Sequence, residues 1–328
     1  MMWLRIRMYL LLIVLFSIIY AIISMVGQAM GIGNVYFYPL VALVMMVIQY
    51  LIGPKIVEWT MRVKYLKDHE YPQLQAIVTE LSHAAGIPKP RIGLAAIPIP
   101  NAFAFGRSLN DGRVCVTEGL LGLLSREELK AVLGHEISHL KNRDVLTITL
   151  LSVIPMILYL IARHLMFAGL YGGRRRERGD YSALIGMAAF LGYLITNLLV
   201  LYASRIREYF ADRGSVSLGN QPAWLASALY KLVYGSARLP KETLKEVEGL
   251  KAFFASDPSR ALNELKDLRE MDLDRSGSID NQELDGLRTK TVRLSSGDRL
   301  MELFATHPNM LKRIKALSTY TYGTYGRA

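Results

Sequence analysis

The chain has 328 residues, of which 52% are hydrophobic, and its 39 basic and 28 acidic residues give a net charge of +11. This composition, with a mean hydropathy of +0.23, argues against an ordinary soluble protein and favours one with membrane segments. No basic helix interleaved with aromatic residues is present, so the charge predicts contact with an anionic membrane face and no nucleic-acid partner. The only cysteine, Cys115, excludes an intrachain disulfide and predicts a buried, reduced thiol.

Four apolar runs, each close to the length that crosses a bilayer as a helix, account for the hydropathy. They are residues 8–26, 35–52, 146–162 and 183–202. The first run is long for a signal core, so we interpret it as a retained anchor. Basic residues before the first run and after the second place the N-terminus and the segment after residue 53 in the cytoplasm. A basic loop between the last two runs opposes that rule, which leaves open whether this hairpin crosses fully.

The segment between the second and third apolar runs has a pattern that predicts a helix, three strands and a second helix. An apolar stripe predicts a helix over Pro72–Ala85 that Gly86 ends. Three strand-like pieces follow, at residues 91–95, 102–106 and 113–117, with a turn at residues 110–112 between the last two. Ser125 and Glu128 then form a capping box, which predicts the start of a further helix.

That helix carries the sequence HEISH, with His135, Glu136 and His139. Histidines four residues apart lie on one helical face, so both imidazoles can bind a single zinc ion. Glu136 follows the first histidine, where zinc peptidases of this pattern place the general base. Because the flanking residues are apolar, the helix is expected to be largely buried, and buried histidines need partners such as a metal.

A catalytic zinc usually has three protein ligands and one open position. Glu208 is the candidate for the third ligand, and Asp212 lies on the same helical face, where its carboxylate can accept the free N–H of a ligand histidine. The same acids also fit a charged surface paired with neighbouring arginines. Spacing alone does not exclude Glu118 or Asp144 as the third ligand.

The chain resembles the HtpX family of membrane zinc metallopeptidases, which are gluzincins related to the CAAX prenyl proteases. The resemblance covers most of the chain and rests on the paired N-terminal runs, NAFA, HEISH, the apolar hairpin, SRIREYFAD and THP at residues 306–308. It implies zinc binding by His135, His139 and Glu208, with Glu136 as the base and Asp212 behind the ligands.

The resemblance also implies a substrate-binding edge strand that pairs with an extended peptide. Its residues are Asn101, Ala102, Phe103 and Ala104. Asn101 would hold the substrate backbone, or else serve as a turn asparagine after a proline. His307 would stabilise the oxyanion, or else cap the next helix. No serine or cysteine nucleophile is needed, because Glu136 activates water beside the zinc ion.

Residues 272–283 fit a twelve-residue EF-hand loop, which is a departure from the HtpX pattern. Its expected calcium ligands are Asp272, Asp274, Ser276, Ser278, Asp280 and Glu283. Gly277 takes the sixth position, where the loop turns, and Ile279 the eighth. The open alternatives are a degenerate acidic loop and a loop that pairs with another subunit, since the sequence holds no second copy.

Together these features predict a mainly α, α+β protein with membrane helices and a zincin-like peptidase domain containing a small sheet. The expected segments are a transmembrane hairpin (1–53), a first peptidase part (54–145), a second hairpin (146–203) and a second peptidase part (204–328), with the EF-hand-like insertion at 261–290.

The predicted function is that of a zinc endopeptidase of the cytoplasmic membrane that faces the cytoplasm and cleaves membrane or misfolded proteins. Its cofactors would be zinc and calcium, and calcium would modulate cleavage. Two other functions remain open at this point. One is a processing protease of narrow specificity for prenyl peptides, and the other is a non-catalytic zinc- and calcium-binding sensor or scaffold.

Overall fold

The structure is a computed structural model, and it describes residues 37–171, 182–240, 261–290 and 296–320. The predicted anchor at 8–26 lies outside these residues. The chain divides into two compact units: the first comprises 1–53 and 146–204, and the second comprises 54–145 and 205–328.

The first unit contains the apolar parts of three long helices. These are α1 (Phe37–Thr60), α5 (Asp144–Tyr171) and α6 (Ser182–Ser217), and each continues into the second unit. Stretches long and apolar enough to cross a membrane lie at Asp144–Arg163 and Ala183–Ser217. Side chains such as Leu184 and Met187, which are 63% and 64% exposed, give the unit an apolar outer surface suited to lipid.

The second unit contains a four-stranded sheet in the order β1-β2-β4-β3. The strands are β1 (Val63–Tyr65), β2 (Arg91–Ala95), β3 (Ala102–Phe105) and β4 (Arg113–Thr117). β2 and β4 run parallel, and the other two neighbouring pairs are antiparallel. The sequence predicted β2, β3 and β4 but not β1. A 3₁₀ turn at Leu109–Asp111 stands where the turn between β3 and β4 was expected.

Eight further helices lie in the described part of the second unit, and most of them contribute to its main core. They are α2 (Pro72–Ala85), α3 (Glu118–Leu121), α4 (Arg126–Lys141), α7 (Pro222–Ala237), α8 (Ala261–Arg269), α9 (Asn281–Leu287), α10 (Ser296–Leu303) and α11 (Met310–Leu317). α4 packs against α2, α7 and β3, and α7 packs against α8 and α11. The predicted fold class, mainly helical with a small sheet, is therefore confirmed.

Candidate active site and metal centre

The HEISH helix begins where the sequence predicted. The Ser125 hydroxyl accepts from the backbone N–H of Glu128 at 3.2 Å, and Glu128 Oε2 accepts from the backbone N–H of Ser125 at 2.8 Å. Two turns later, His135 and His139 lie side by side, with their Nε2 atoms 3.1 Å apart. His135 is only 3% exposed, so both imidazoles converge inside the second unit.

Glu208 comes from α6 and completes a three-residue group. Its Oε2 lies 3.6 Å from His135 Nε2, and its Oε1 lies 3.5 Å from His139 Nε2. A tetrahedral zinc ion about 2.0–2.1 Å from each donor would separate the donors by about 3.4 Å. The three observed separations bracket that value. Glu208 Oε2 is buried and accepts no hydrogen bond of good geometry among the described residues, although nitrogens of His307 and Arg313 lie 3.2 and 3.1 Å from it.

The opposite nitrogens of the histidines face two other carboxylates. Asp212 Oδ1 lies 2.9 Å from His135 Nδ1, and Asp144 Oδ2 lies 2.6 Å from His139 Nδ1. Each carboxylate can accept a Nδ1–H and leave Nε2 unprotonated for a metal. Asp144 therefore lies on the side of His139 away from Glu208, and Glu118, the other open candidate, is exposed on α3.

Two glycines bring the ligand-bearing helices into close contact. A Cβ atom on Gly214 of α6 would lie 1.8 Å from Ser138 Oγ on α4, and one on Gly134 of α4 would lie 2.4 Å from Asn220 Nδ2. Ser215 Oγ donates to the Ala131 carbonyl across the same contact, at 2.6 Å. This close approach lets Glu208 reach both histidines.

Glu136 is buried beside the ligand group and is 4% exposed. Burial raises its pKa above that of an ordinary glutamate, which outweighs the opposite effect of the neighbouring histidines. A carboxylate with a raised pKa is a better proton acceptor, which suits a general base working near neutral pH.

His307 and Arg313 approach the group from the C-terminal part of the second unit. His307 Nδ1 lies 3.2 Å from Glu208 Oε2. Arg313 is fully buried, and its Nη1 lies 3.1 Å from Glu208 Oε2, while its Nη2 donates to Asp212 Oδ1 at 2.6 Å. Burial acts to lower the pKa of Arg313, but the two carboxylates raise it overall. Sequence reasoning missed Arg313, because a lone arginine on a short amphipathic helix reads as a surface residue.

A second buried arginine fixes the segment that leads to His307. Arg205 Nη1 donates to the carbonyls of Glu302, Leu303 and Ala305 at 2.8, 3.1 and 2.8 Å. These carbonyls lie at or just after the C-terminal end of α10, where backbone carbonyls have no N–H donor within the helix.

The predicted substrate-binding strand is β3, which lies at one edge of the sheet and packs against α4. Asn101 is 1% exposed and exchanges backbone and hydroxyl hydrogen bonds with Thr117. Ala102 and Phe103 are also buried, and Ala104 is half-buried.

The second predicted metal loop begins after α8 and ends in α9, as its sequence predicted. One carboxylate oxygen from each of Asp272, Asp274 and Glu283 lies within 4.8 Å of the others. Asp280 and Glu283 form a capping box at the start of α9. Ser276 and Ser278 are joined through their hydroxyls at 2.9 Å.

A helix with two histidines, a buried glutamate after the first, and a carboxylate from a second helix defines a metalloprotease. Residues 68–321 match Peptidase family M48, and the chain belongs to that family. It is a membrane zinc metalloprotease, as the sequence predicted.

The chain is similar to two proteins named as HtpX protease homologues. It is 52% identical to one from Methanothermobacter thermautotrophicus over 230 residues, which cover 70% of this chain and 86% of the relative. It is 34% identical to one from Moorella thermoacetica over 313 residues, which cover 95% and 92%. Among solved structures it resembles S. mikatae Ste24p, with a TM-score of 0.51 and 17% identity over 98% of this chain and 67% of that one.

Proposed function

We propose that this chain is a zinc endopeptidase of the cytoplasmic membrane that faces the cytoplasm and cleaves exposed segments of membrane or misfolded proteins. The observation that carries this proposal is the convergence of His135, His139 and Glu208 beside the buried base Glu136. In the proposal, the first three residues hold the zinc ion. When bound, zinc supplies a Lewis acid that polarises the scissile carbonyl and lowers the pKa of a coordinated water.

The residues around this group have separate tasks in the proposed reaction. Glu136 accepts a proton as water attacks the scissile carbonyl and then delivers it to the leaving amine. Asp212 and Asp144 hold the two imidazoles in the tautomer that leaves Nε2 unprotonated. His307 is close enough to Glu208 to donate to an oxyanion that develops beside the ligand group.

The position of strand β3 favours a protein substrate that binds in an extended conformation. Among the described strands, β3 lies at one edge of the sheet, and it packs against the HEISH helix. An added strand would therefore run past Glu136, with backbone hydrogen bonds giving affinity for many sequences. We propose that residues 101–104 form this substrate-binding edge.

The membrane preference is supported by the position of Glu208 in the sequence. The fourth apolar run ends six residues before Glu208, and the third begins seven residues after His139. At about 1.5 Å per residue of the continuous helix α6, the separation before Glu208 is about 9 Å. Cleavage sites close to a lipid surface are therefore the expected substrates.

Calcium is proposed as a second cofactor that modulates cleavage. Its support is the group formed by Asp272, Asp274 and Glu283 within the predicted loop, since carboxylate oxygens are the ligands that calcium prefers.

The catalytic proposal is tested with Glu136→Gln in detergent. We expect about one zinc per chain in both the wild type and the variant, with casein cleavage lost in the variant because glutamine cannot accept the proton. Glu127→Gln is the matched control, because Glu127 is exposed on the first turn of the same helix. Cleavage that persists in Glu136→Gln would show that another group is the base.

The substrate class is tested with one cleavage sequence in two contexts. The sequence is placed next to the membrane span of a reporter in liposomes, or in the same reporter without its span. Faster cleavage of the anchored reporter is expected. Equal rates would remove the membrane preference, and cleavage of a farnesylated peptide alone would favour the prenyl-processing alternative.

The orientation is tested by labelling a single introduced cysteine. Cys115 is the sole cysteine and is buried, so its background labelling should be low. A cysteine at the exposed position 127 should react with an impermeant maleimide only after the cells are opened. Labelling of intact cells would reverse the proposed orientation.

A further inference from the structure

The loop at residues 272–283 is folded around its acidic side chains. Arg275 and Gly277 adopt positive φ angles of 58° and 79°, which turn the chain back at its middle. Asp272 Oδ2 accepts from the Gly277 N–H at 2.9 Å, and Asp274 Oδ1 accepts from the Ser276 N–H at 2.9 Å. These bonds fix one oxygen of each carboxylate.

One carboxylate oxygen of Asp272 has no hydrogen-bond partner among the described residues. Its side chain is 7% exposed, and its Oδ2 is occupied by Gly277 and by the Tyr230 hydroxyl, which donates at 3.0 Å. Its Oδ1 is buried without a hydrogen-bond partner. Burying an unpaired carboxylate oxygen is costly, and a cation held between Asp272, Asp274 and Glu283 would remove that cost.

The atoms that the loop offers as ligands indicate which kind of cation it would bind. All six loop side chains at the expected ligand positions offer oxygen, and none offers nitrogen or sulfur. Oxygen ligands favour a hard cation over zinc. A twelve-residue loop with a glutamate at its last position suits the six to eight ligands of calcium better than the strict octahedron of magnesium.

The hydrophobic face of this element is already covered within the chain. Ile279, which occupies the eighth loop position, is 2% exposed, and Leu268 and Leu284 of the flanking helices are 0% and 4% exposed. All three belong to the main core, together with Leu229 and Tyr230 of α7. Helix α7 thus occupies the place that a second EF-hand would otherwise take.

The same helix α7 contacts the start of the HEISH helix. Ser227 Oγ donates to Glu128 Oε1 at 2.6 Å, and Lys231 Nζ donates to Glu128 Oε2 at 2.9 Å. Lys231 directly follows Tyr230, the partner of Asp272. The loop and the N-terminus of α4 are therefore joined by one helical turn of α7.

A second contact links the loop to the buried arginine. Lys315 Nζ donates to the Leu287 carbonyl and, at 2.8 Å, to the Arg288 carbonyl at the end of α9. Lys315 lies two residues after Arg313 on α11, and Arg313 binds Asp212 and Glu208. The start of the loop, through Tyr230, and the helix α9 that follows the loop thus contact helices near the zinc ligands.

We infer that residues 272–283 form a single calcium site that uses helix α7, in place of a second EF-hand, as its partner, and that calcium bound there stabilises the helices holding the zinc ligands. The effect on cleavage rests on the proposed function, whereas calcium binding and stabilisation are independent of it.

Binding is tested on the full chain in detergent. Calcium is removed on a chelating resin, and zinc is restored to one equivalent and checked by metal analysis. Calorimetric titration should then show one calcium per chain, with a Kd of about 10⁻⁵–10⁻³ M, as expected for a site without a paired loop. At 100 times Kd the unfolding midpoint should rise by about 4–6 °C, and magnesium should raise it less.

Two variants separate the site from general charge effects. Glu283→Gln should weaken calcium binding at least tenfold. Asp285→Asn, which changes an exposed acid just beyond the loop, should leave the Kd within about twofold. No calcium binding by the wild type, or equal losses in both variants, would overturn the site.

The role of α7 is tested with Tyr230→Phe and by mass measurement. The variant keeps the ring in the core but removes the hydroxyl that reaches Asp272. We expect it to bind calcium within about threefold of the wild type but to lose most of the calcium-dependent change in cleavage rate. A wild-type response would overturn the coupling through α7. Light scattering should give the same mass with and without calcium, and calcium-induced dimers would instead show pairing between chains.

Cleavage without calcium distinguishes this inference from the proposed function. If zinc-loaded chain free of calcium still cleaves casein, the peptidase function stands whatever the calcium experiments show.

Discussion

The contact between Gly214 and Ser138 gives a specific prediction about the zinc centre. In Gly214→Ala, the new Cβ atom would lie 1.8 Å from Ser138 Oγ and 2.6 Å from Ser138 Cβ. Rotating the hydroxyl relieves only the first overlap. The helices would therefore have to separate by roughly 1 Å to restore ordinary van der Waals contact.

The expected loss of stability and activity follows from the overpacking and from the zinc ligands that lie on the two helices. Overpacking of this kind costs about 1–3 kcal/mol of stability. Because Glu208 lies on α6 and both histidines lie on α4, separating the helices also moves the third ligand away from the first two. A misplacement of about 1 Å can cost about 100-fold in rate. We expect weaker zinc retention against a chelator and cleavage reduced by about that factor.

A compensating change on the other helix sharpens the test. In Gly214→Ala with Ser138→Gly, the nearest atom of residue 138 to the new Cβ is its Cα at 3.9 Å, an ordinary contact. Zinc retention and cleavage should recover, although a glycine within α4 still costs about 0.5–1 kcal/mol.

A control glycine is available in α9. No atom lies within 4 Å of a Cβ built on Gly286, so Gly286→Ala should leave zinc retention unchanged and slightly raise the unfolding midpoint. If Gly214→Ala behaves like Gly286→Ala, or if Ser138→Gly fails to rescue it, this contact does not set the spacing of the ligands.

Three further changes probe the surroundings of the site. Asp144→Asn removes the carboxylate from His139 Nδ1 and should weaken zinc binding about 10–100-fold, as measured by competition with a zinc indicator. Arg313→Met leaves two carboxylates buried without their cation. It should lower the free energy of unfolding, measured by denaturant titration, by about 3–5 kcal/mol. A smaller loss than in an exposed Arg→Met variant would contradict this prediction. At Asp111, the hydrogen bond from Arg107 lowers the carboxyl pKa from 3.8 to about 2. A carboxyl group whose pKa is lowered on folding stabilises the folded state fully above pH 3.8, and this stabilisation is lost as the pH falls toward 2. Asp111→Asn should therefore reduce the melting temperature more at pH 6 than at pH 3.

Local signals in the sequence predicted the element that carries the site. The capping box of Ser125 and Glu128 and the HEISH spacing depend on residues within one or two helical turns, so α4 could be read without tertiary information. Helix α2, its end at Gly86 and strands β2, β3 and β4 were predicted for the same reason, and the structure confirms them.

Other features had no local signal. Strand β1 is three residues long and owes its existence to pairing with β2, so no alternation marks it. Glu128 was predicted as a capping residue, but its ion pair with Lys231 spans about a hundred positions in the chain. Burial acts to raise the Glu128 pKa, yet Lys231 and Ser227 lower it overall, a result that depends on the packing of α7.

The sequence by itself determined which side chains are available for chemistry: two histidines one turn apart, a glutamate beside them, and a loop of oxygen donors. These patterns are short, and backbone geometry alone places their members. The tertiary structure decided which other groups join them. It brings Glu208 to the Nε2 atoms and Arg313 between two carboxylates, and it turns the chain after α4 so that Asp144 reaches the far side of His139. The reach of Glu208 to both histidines depends on how closely α4 and α6 approach. Glycines set that approach, because a side chain at either position would collide with the opposite helix or the residues after it.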